Sequence, residues 1–202
     1  MAVPRPTTYN GVPVPYGTPW PELIEVVRAG PNSTRWATTY ALLEVRDPAC
    51  LEALGKLLNS INVDVRNAVL FTIGEHPDGR TVSAIVLRGF ADPDLCVVRT
   101  ACRAAGKLGL VEANDQILSL LNQTPAVQLE ALAAIKTAWL PSNFFPVLQF
   151  FRKARDDRSR KEAAWALFSN ATSDNWRELF DLERIVRLLE NRRDPPPSRL
   201  GV

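Results

Sequence analysis

The residues able to do chemistry are few and scattered. His76 is the only histidine, so a serine or cysteine nucleophile activated by an imidazole would have to use it. It follows Glu75 at the end of a helical pattern, where a cation complements the helix dipole. That describes a surface cap better than a general base. Cys50, Cys96 and Cys102 fit no zinc-ligand spacing. The carboxylate pairs Asp92/Asp94 and Asp156/Asp157 stand at polar turns, where aspartate accepts hydrogen bonds from the free N–H groups of a helix first turn. Gly106-Lys107-Leu108-Gly109 lacks the spacing of a phosphate-cradling loop. The sequence forms no catalytic constellation, metal-ligand set or cofactor motif.

One cluster is strongly basic: Arg152, Lys153, Arg155, Arg158, Arg160 and Lys161, offset by Asp156 and Asp157 to a local charge of +4. Arg152, Lys153, Arg155 and Arg158 could contact phosphates. The competing reading is a solvated turn face with local ion pairs.

The element that organises the chain is Asp92–Gly109. Asp92-Pro93-Asp94 is a turn and Asp94 a helix cap. Leu95, Val98, Ala101, Cys102, Ala105 and Leu108 recur at helical spacing as one apolar stripe. Ala101, Ala104 and Ala105 let a neighbouring helix approach closely, and Gly109 can take the left-handed conformation that ends a helix. The same register, a basic anchor with alanine two residues later, recurs as Arg35/Ala37, Arg66/Ala68, Arg99/Ala101, Leu129/Ala131 and Lys161/Ala163, spaced by 31, 33, 30 and 32 residues. Leu129 makes its repeat degenerate. A period in this range signals stacked repeats. Each anchor helix is preceded by a second apolar helix, so each unit is a helix pair.

Thr18 and Asp47 are expected to cap the first helices of repeats one and two, each followed by proline at a helix first turn; Asn32 reads as a cap too. The first helix of repeat five is expected to start late, around Pro146. Asp174 is expected to cap a last long helix whose Trp176, Leu179, Phe180, Leu182, Ile185, Val186 and Leu189 cover the open end of the stack.

Asn62–Gly74 and Asp92–Gly109 resemble HEAT-type repeats, in particular the short HEAT-like repeats of the phycobilisome-lyase type. The resemblance extends over about residues 18–170. It implies an all-α, right-handed superhelical solenoid of about five antiparallel helix pairs with a C-terminal capping helix. Its functional range spans scaffolds, adaptors, chromophore lyases, a metal hydroxylase and DNA-alkylation glycosylases. The hydroxylase branch uses several histidine–glutamate pairs, which this sequence does not supply. The expectation is a non-catalytic protein-binding scaffold or assembly module. The alternatives are a nucleic-acid-binding or DNA-repair glycosylase-like protein and a phycobilisome-type chromophore lyase or chaperone.

The resemblance also implies that second helices line the concave side. One and four residues after each anchor are expected to point away from the core, which selects Trp36 and Thr39, Asn67 and Leu70, Thr100 and Arg103, Glu130 and Ala133, Glu162 and Trp165. Trp36, Leu70, Arg103 and Trp165 are the expected partner site, because aromatic residues and arginine carry much interface energy.

The flanks differ from the centre. Residues 1–17 hold Pro4, Pro6, Pro13 and Pro15 interleaved with Tyr9, Val12, Val14 and Tyr16. Proline excludes a long helix there, and polyproline-like extension is the expected conformation. This arm packs over the first repeat or offers Tyr9 and Tyr16 to a partner. The helical unit occupies 18–191, and 192–202, with Pro195-Pro196-Pro197, reads as a disordered tail. The 202 residues are 46% hydrophobic and 23% charged with net charge +2, which suits one continuous core and gives no global field directed at nucleic acid or membrane. Three cysteines on apolar faces suggest reduced thiols and a cytoplasmic location. Asn32-Ser33-Thr34 and Asn170-Ala171-Thr172 match the glycosylation pattern without a secretory signal to make it meaningful.

Overall fold

The computed structural model describes residues 6–179. Apart from one short hairpin the described chain is helical. Strands β1 (Thr8–Tyr9) and β2 (Val12–Pro13) precede α1 (Trp20–Ala29), α2 (Asn32–Leu42), α3 (Pro48–Lys56), α4 (Val63–Glu75), α5 (Ser83–Gly89), α6 (Leu95–Leu108), α7 (Asn114–Ser119), α8 (Pro125–Thr137), α9 (Phe144–Lys153) and α10 (Asp157–Ser169).

The helices begin where short polar side chains replace missing backbone partners. Asp47, Asn62, Asp94 and Asp156 each accept a hydrogen bond from a first-turn N–H, at Ala49, Asp64, Cys96 and Ser159 respectively. Thr18 and Asn32 do not cap: α1 starts after Pro19 and α2 after Pro31, neither with a side-chain cap. Proline's fixed φ pre-sets the entry of these helices instead. Gly109 ends α6 in the left-handed region at φ 62°, and the Leu110 N–H reaches back to the Ala105 carbonyl at 2.9 Å. In α9, Pro146 falls within the first turn, where its missing N–H costs nothing. Helix α9 does start late, after a 3-10 turn at Pro141–Asn143.

Consecutive helices pair as α1 with α2, α3 with α4, α5 with α6, α7 with α8 and α9 with α10, while α2, α4, α6, α8 and α10 also pack on one another in chain order. Polar bonds fix the direction of that row. Thr100 Oγ1 donates to Asn67 Oδ1 (2.7 Å) near the beginnings of α6 and α4, and Lys107 pairs with Glu75 near their ends, so the two helices run the same way. The approach is close because two glycines stand at the crossings. A Cβ on Gly74 would lie 2.7 Å from the Ala104 Cα, and one on Gly106 would lie 2.7 Å from the Ala134 Cα. The buried core runs continuously from Leu23, through Leu54, Leu70, Val97, Cys102 and Leu132, to Leu148 and Leu167. Leu95 departs from the expected stripe; as the first residue of α6 it is 45% exposed.

From residue 6 onward the N-terminal arm is not polyproline-like. Asn10 and Gly11 both have positive φ (48° and 79°), as the two-residue turns favoured in β-hairpins require. Tyr9 pairs with Val12, and Thr8 with Pro13. Both strands pack on α2, Val14 is buried, and the Tyr16 hydroxyl donates to the Pro6 carbonyl at 3.0 Å. At the other end a helical turn spans Trp176–Leu179, with Leu179 buried. Asp174 accepts from the Ser173 hydroxyl at 3.3 Å. Phe180 and the rest of the expected capping helix, and the 192–202 tail, lie outside the described residues. No helix among the described residues is long and apolar enough to cross a membrane.

Candidate functional site

The second helices share a device at their fourth residue. Arg35 donates to the carbonyls of Val27 (2.8 Å) and Gly30 (2.8 Å). Arg66 donates to those of Ser60 (2.8 Å) and Ile61 (3.2 Å). Gln128 reaches Leu121 (3.2 Å) and Gln123 (2.8 Å), and Arg160 reaches Ala154 (3.1 Å). Each side chain satisfies carbonyls left free where the preceding helix ends. In α6 the fourth residue is Val98, buried and apolar.

This device corrects the repeat register. Arg35 and Arg66 hold equivalent places, but their counterparts are Val98, Gln128 and Arg160, not Arg99, Leu129 and Lys161. Counting from a basic residue slipped the later repeats by one, and the expected site inherits the slip. Thr39 and Leu70 are equivalent to Cys102, Leu132 and Ala164, and all five are buried. Leu70 is 0% exposed and lies where a Cβ on Gly89 would touch it; it is a core residue and lines no groove. The outward row is one position later: Tyr40, Phe71, Arg103, Ala133 and Trp165.

Arg103 and Trp165 do stand on that face. Trp165 is 53% exposed. Arg103 is exposed and makes a two-point ion pair with Glu130 of α8, Nε to Oε2 at 3.2 Å and Nη2 to Oε1. One helix on, Lys136 bridges to Glu162 of α10 at 2.6 Å. The face therefore carries a ladder of inter-repeat pairs, Glu75–Lys107, Arg103–Glu130 and Lys136–Glu162. Arg99 and Lys161, one turn before Arg103 and Trp165, have no ion-pair partner among the described residues.

Trp36 lies at the other end and is half-buried. Its ring meets Phe71 edge-on with centroids 5.4 Å apart; Phe71 also meets Tyr40 at 6.0 Å, and Tyr40 meets Tyr9 at 5.4 Å. The hairpin thus joins an aromatic cluster on its own chain. Tyr9 is engaged there and Tyr16 in its bond to the Pro6 carbonyl, and Trp36 shares no local surface with Trp165.

In the basic cluster, Arg152 lies 3.6 Å from Glu178, and Arg160 is spent on the Ala154 carbonyl and a longer pair with Asp157 (3.7 Å). Lys153, Arg155 and Arg158 are exposed and without an ion pair among the described residues.

His76 is not a surface cap. It is 3% exposed. Its Nε2 lies 2.7 Å from the Val45 carbonyl, and its Nδ1 accepts the Asp78 N–H at 3.0 Å. A carbonyl can only accept and an amide N–H can only donate, so the ring is the neutral tautomer with the proton on Nε2. Both nitrogens are spent on structure, joining the end of α4 to the loop after α2. Burial pushes the Cys50 thiol up to about 11, helped by Asp47, and that of Cys102 to about 12, where Glu130 adds and Arg103 subtracts. Neither forms a thiolate near neutrality. Among the described residues no three histidine, cysteine, aspartate or glutamate side chains are placed to hold a metal ion.

The sequence reading placed Arg103, Ala133 and Trp165 on the outward row but missed Tyr40 and Phe71. Counting from the helix starts marked by Pro31, Asn62, Asp94, Thr124 and Asp156 would have found them. No protein-family model matches the chain, and no curated protein matches it.

Proposed function

We propose that this chain is a HEAT-like, right-handed superhelical stack of five helix pairs that binds another protein on the face of its second helices and catalyses no reaction itself. The observation that carries the reading is the row Arg103, Ala133 and Trp165. A half-exposed tryptophan and an exposed arginine flank a small residue at equivalent positions of adjacent helices. Folding does not require a tryptophan there, while such residues dominate the energetics of partner binding. The support from the fold is the chain-order packing of same-direction second helices, which gives a broad continuous surface.

The test is capture of partners from the source organism by the intact chain, compared with Trp165→Ala and Arg103→Ala proteins of unchanged melting temperature. The reading predicts a partner retained by the parent chain and lost by both variants. A partner held equally by all three would overturn it. A second reading, contact with nucleic-acid phosphates, is favoured by the exposed, unpaired Lys153, Arg155 and Arg158. It predicts binding to DNA or RNA that weakens steeply with salt and disappears when these three are changed to glutamine.

A further inference from the structure

Resting on the reading of the second-helix face as a docking surface, we infer that its α6–α8–α10 part takes an acidic polypeptide segment, held by Arg99 and Lys161 and seated over Leu129 and Ala133 against Trp165.

The argument begins with the charges. On this part of the face Arg103 is neutralised by Glu130, and Lys136 by Glu162. Arg99 and Lys161 remain. They occupy equivalent places, each the residue after the fourth of its helix, one on either side of α8. The loss of the turn clamp in α6 accounts for Arg99: Val98 takes the clamp's place in the core, and the arginine beside it reaches no carbonyl. Arg99 and Lys161 are thus two uncompensated cations flanking one helix, a local positive excess like that of Lys153, Arg155 and Arg158 but set astride an apolar strip. Such an excess selects a negative partner and repels a positive one.

Between the cations α8 is low and apolar. Leu129 is half-buried and Ala133, a turn later, is exposed but small, whereas the neighbouring helices carry Arg103 and Trp165 at the place of Ala133. The aliphatic floor and the exposed indole accept side chains. A nucleic-acid backbone gains from a run of closely spaced cations, whereas here the two free cations are separated by the neutral pairs Arg103–Glu130 and Lys136–Glu162 and by the apolar strip of α8. A polypeptide can place its acidic groups at Arg99 and Lys161 and an apolar side chain between. The chain's own remaining segment is not the occupant by this criterion, since residues 180–202 hold five arginines against four carboxylates.

The test uses the full chain and a phage-displayed random-peptide library. Peptides enriched on the parent protein should be acidic and carry at least one large apolar residue. Arg99→Glu and Lys161→Glu should each weaken a representative enriched peptide about fivefold and together at least about tenfold, while Lys56→Glu, a charge reversal on α3, should leave binding unchanged. Trp165→Ala should weaken it as well. Circular dichroism and melting temperature establish that each variant is folded. If enriched peptides require Trp165 but are neutral or basic and ignore Arg99 and Lys161, the docking surface stands and the acidic partner is wrong. If no enriched peptide responds to Trp165→Ala, the docking surface itself fails. If an oligo-dT strand displaces the peptide and its own binding depends on Arg99 and Lys161, the partner is nucleic acid and the inference is overturned.

Discussion

The Arg66 guanidinium and the Asp92 carboxylate lie side by side across two repeats, Nε to Oδ2 at 2.6 Å and Nη2 to Oδ1 at 2.9 Å, with both side chains under 10% exposed. Asp92 Oδ1 also accepts the Asp94 N–H at 2.9 Å, and Arg66 also donates to Ser60 and Ile61. One ion pair thus joins the start of α4 to the turn that launches α6. A buried pair is a weak source of net stability, because desolvation offsets attraction, but removing one partner strands the other.

Asp92→Asn should therefore destabilise the fold by about 3 kcal/mol at neutral pH, measured by urea unfolding. Burial raises the Asp92 carboxyl, but the hydrogen bonds from Arg66 and Asp94 and the Arg66 charge outweigh it and hold the group below its ordinary range. A carboxyl depressed on folding contributes stability that is complete above its unfolded value, about 3.9, and is lost as pH falls through the folded value. The gap between parent and variant should be constant near neutrality and close only in acid, below about pH 4. A gap that closes between pH 6 and 8 would assign the effect to another group.

Gly106→Ala sets two effects against each other. In an exposed helix interior the change would stabilise by about 1 kcal/mol through helix propensity. Here the new methyl would lie 2.7 Å from the Ala134 Cα and 2.8 Å from its Cβ. Neither is the end of a flexible side chain, so α8 must move, and over-packing of this kind costs about 1–3 kcal/mol. The rigid neighbour favours the upper part of that range, so the melting temperature should fall. A rise would mean that the helices separate at little cost.

Much of the fold was legible in the sequence because its determinants are local. The cap at Asp94, the stop at Gly109 and the small-residue pattern of α6 each act within a few residues. Five helix pairs followed from recurrence of that pattern. The site was less legible because facing depends on register. The shift between Arg66 and Arg99 turns an arginine that clamps a turn into one that stands free, although both precede an alanine by two residues. His76 illustrates a different limit. Its partner Val45 is far away in sequence, and nothing local distinguishes a histidine that bridges two loops from one that caps a helix. The hairpin was readable from Asn10-Gly11 between Tyr9 and Val12; the surrounding prolines drew attention to extension instead.

The thiols give a measurable contrast. Cys50 and Cys102 are buried with elevated pKa values of about 11 and about 12, while Cys96 is exposed in the first turn of α6. Titration with a chromogenic disulfide at neutral pH should find one reactive thiol in the folded chain and three in denaturant. Cys96→Ser should abolish the native reaction. Fast reaction of two or three thiols without denaturant would show that the α3 or α6 core opens readily.

Leu70 and Trp165 separate stability from recognition. Leu70 is closed in by the core, and Leu70→Ala should cost about 2–5 kcal/mol, combining lost burial with the cavity left between α4 and α5. Trp165 leaves half its surface in water and makes no ring contact among the described residues. Replacing an exposed side chain of this kind changes stability by about 0.5 kcal/mol or less. Urea denaturation of the two variants should thus give a large shift for Leu70→Ala and almost none for Trp165→Ala. Binding should show the reverse order. At a denaturant-free temperature where Leu70→Ala is still folded, it should keep its affinity for peptides selected on the parent chain, whereas Trp165→Ala should lose most of it. Equal loss by both would mean that recognition depends on the helix row as a whole. A strong loss of stability in Trp165→Ala would assign the indole to the core and leave the outward row without its anchor.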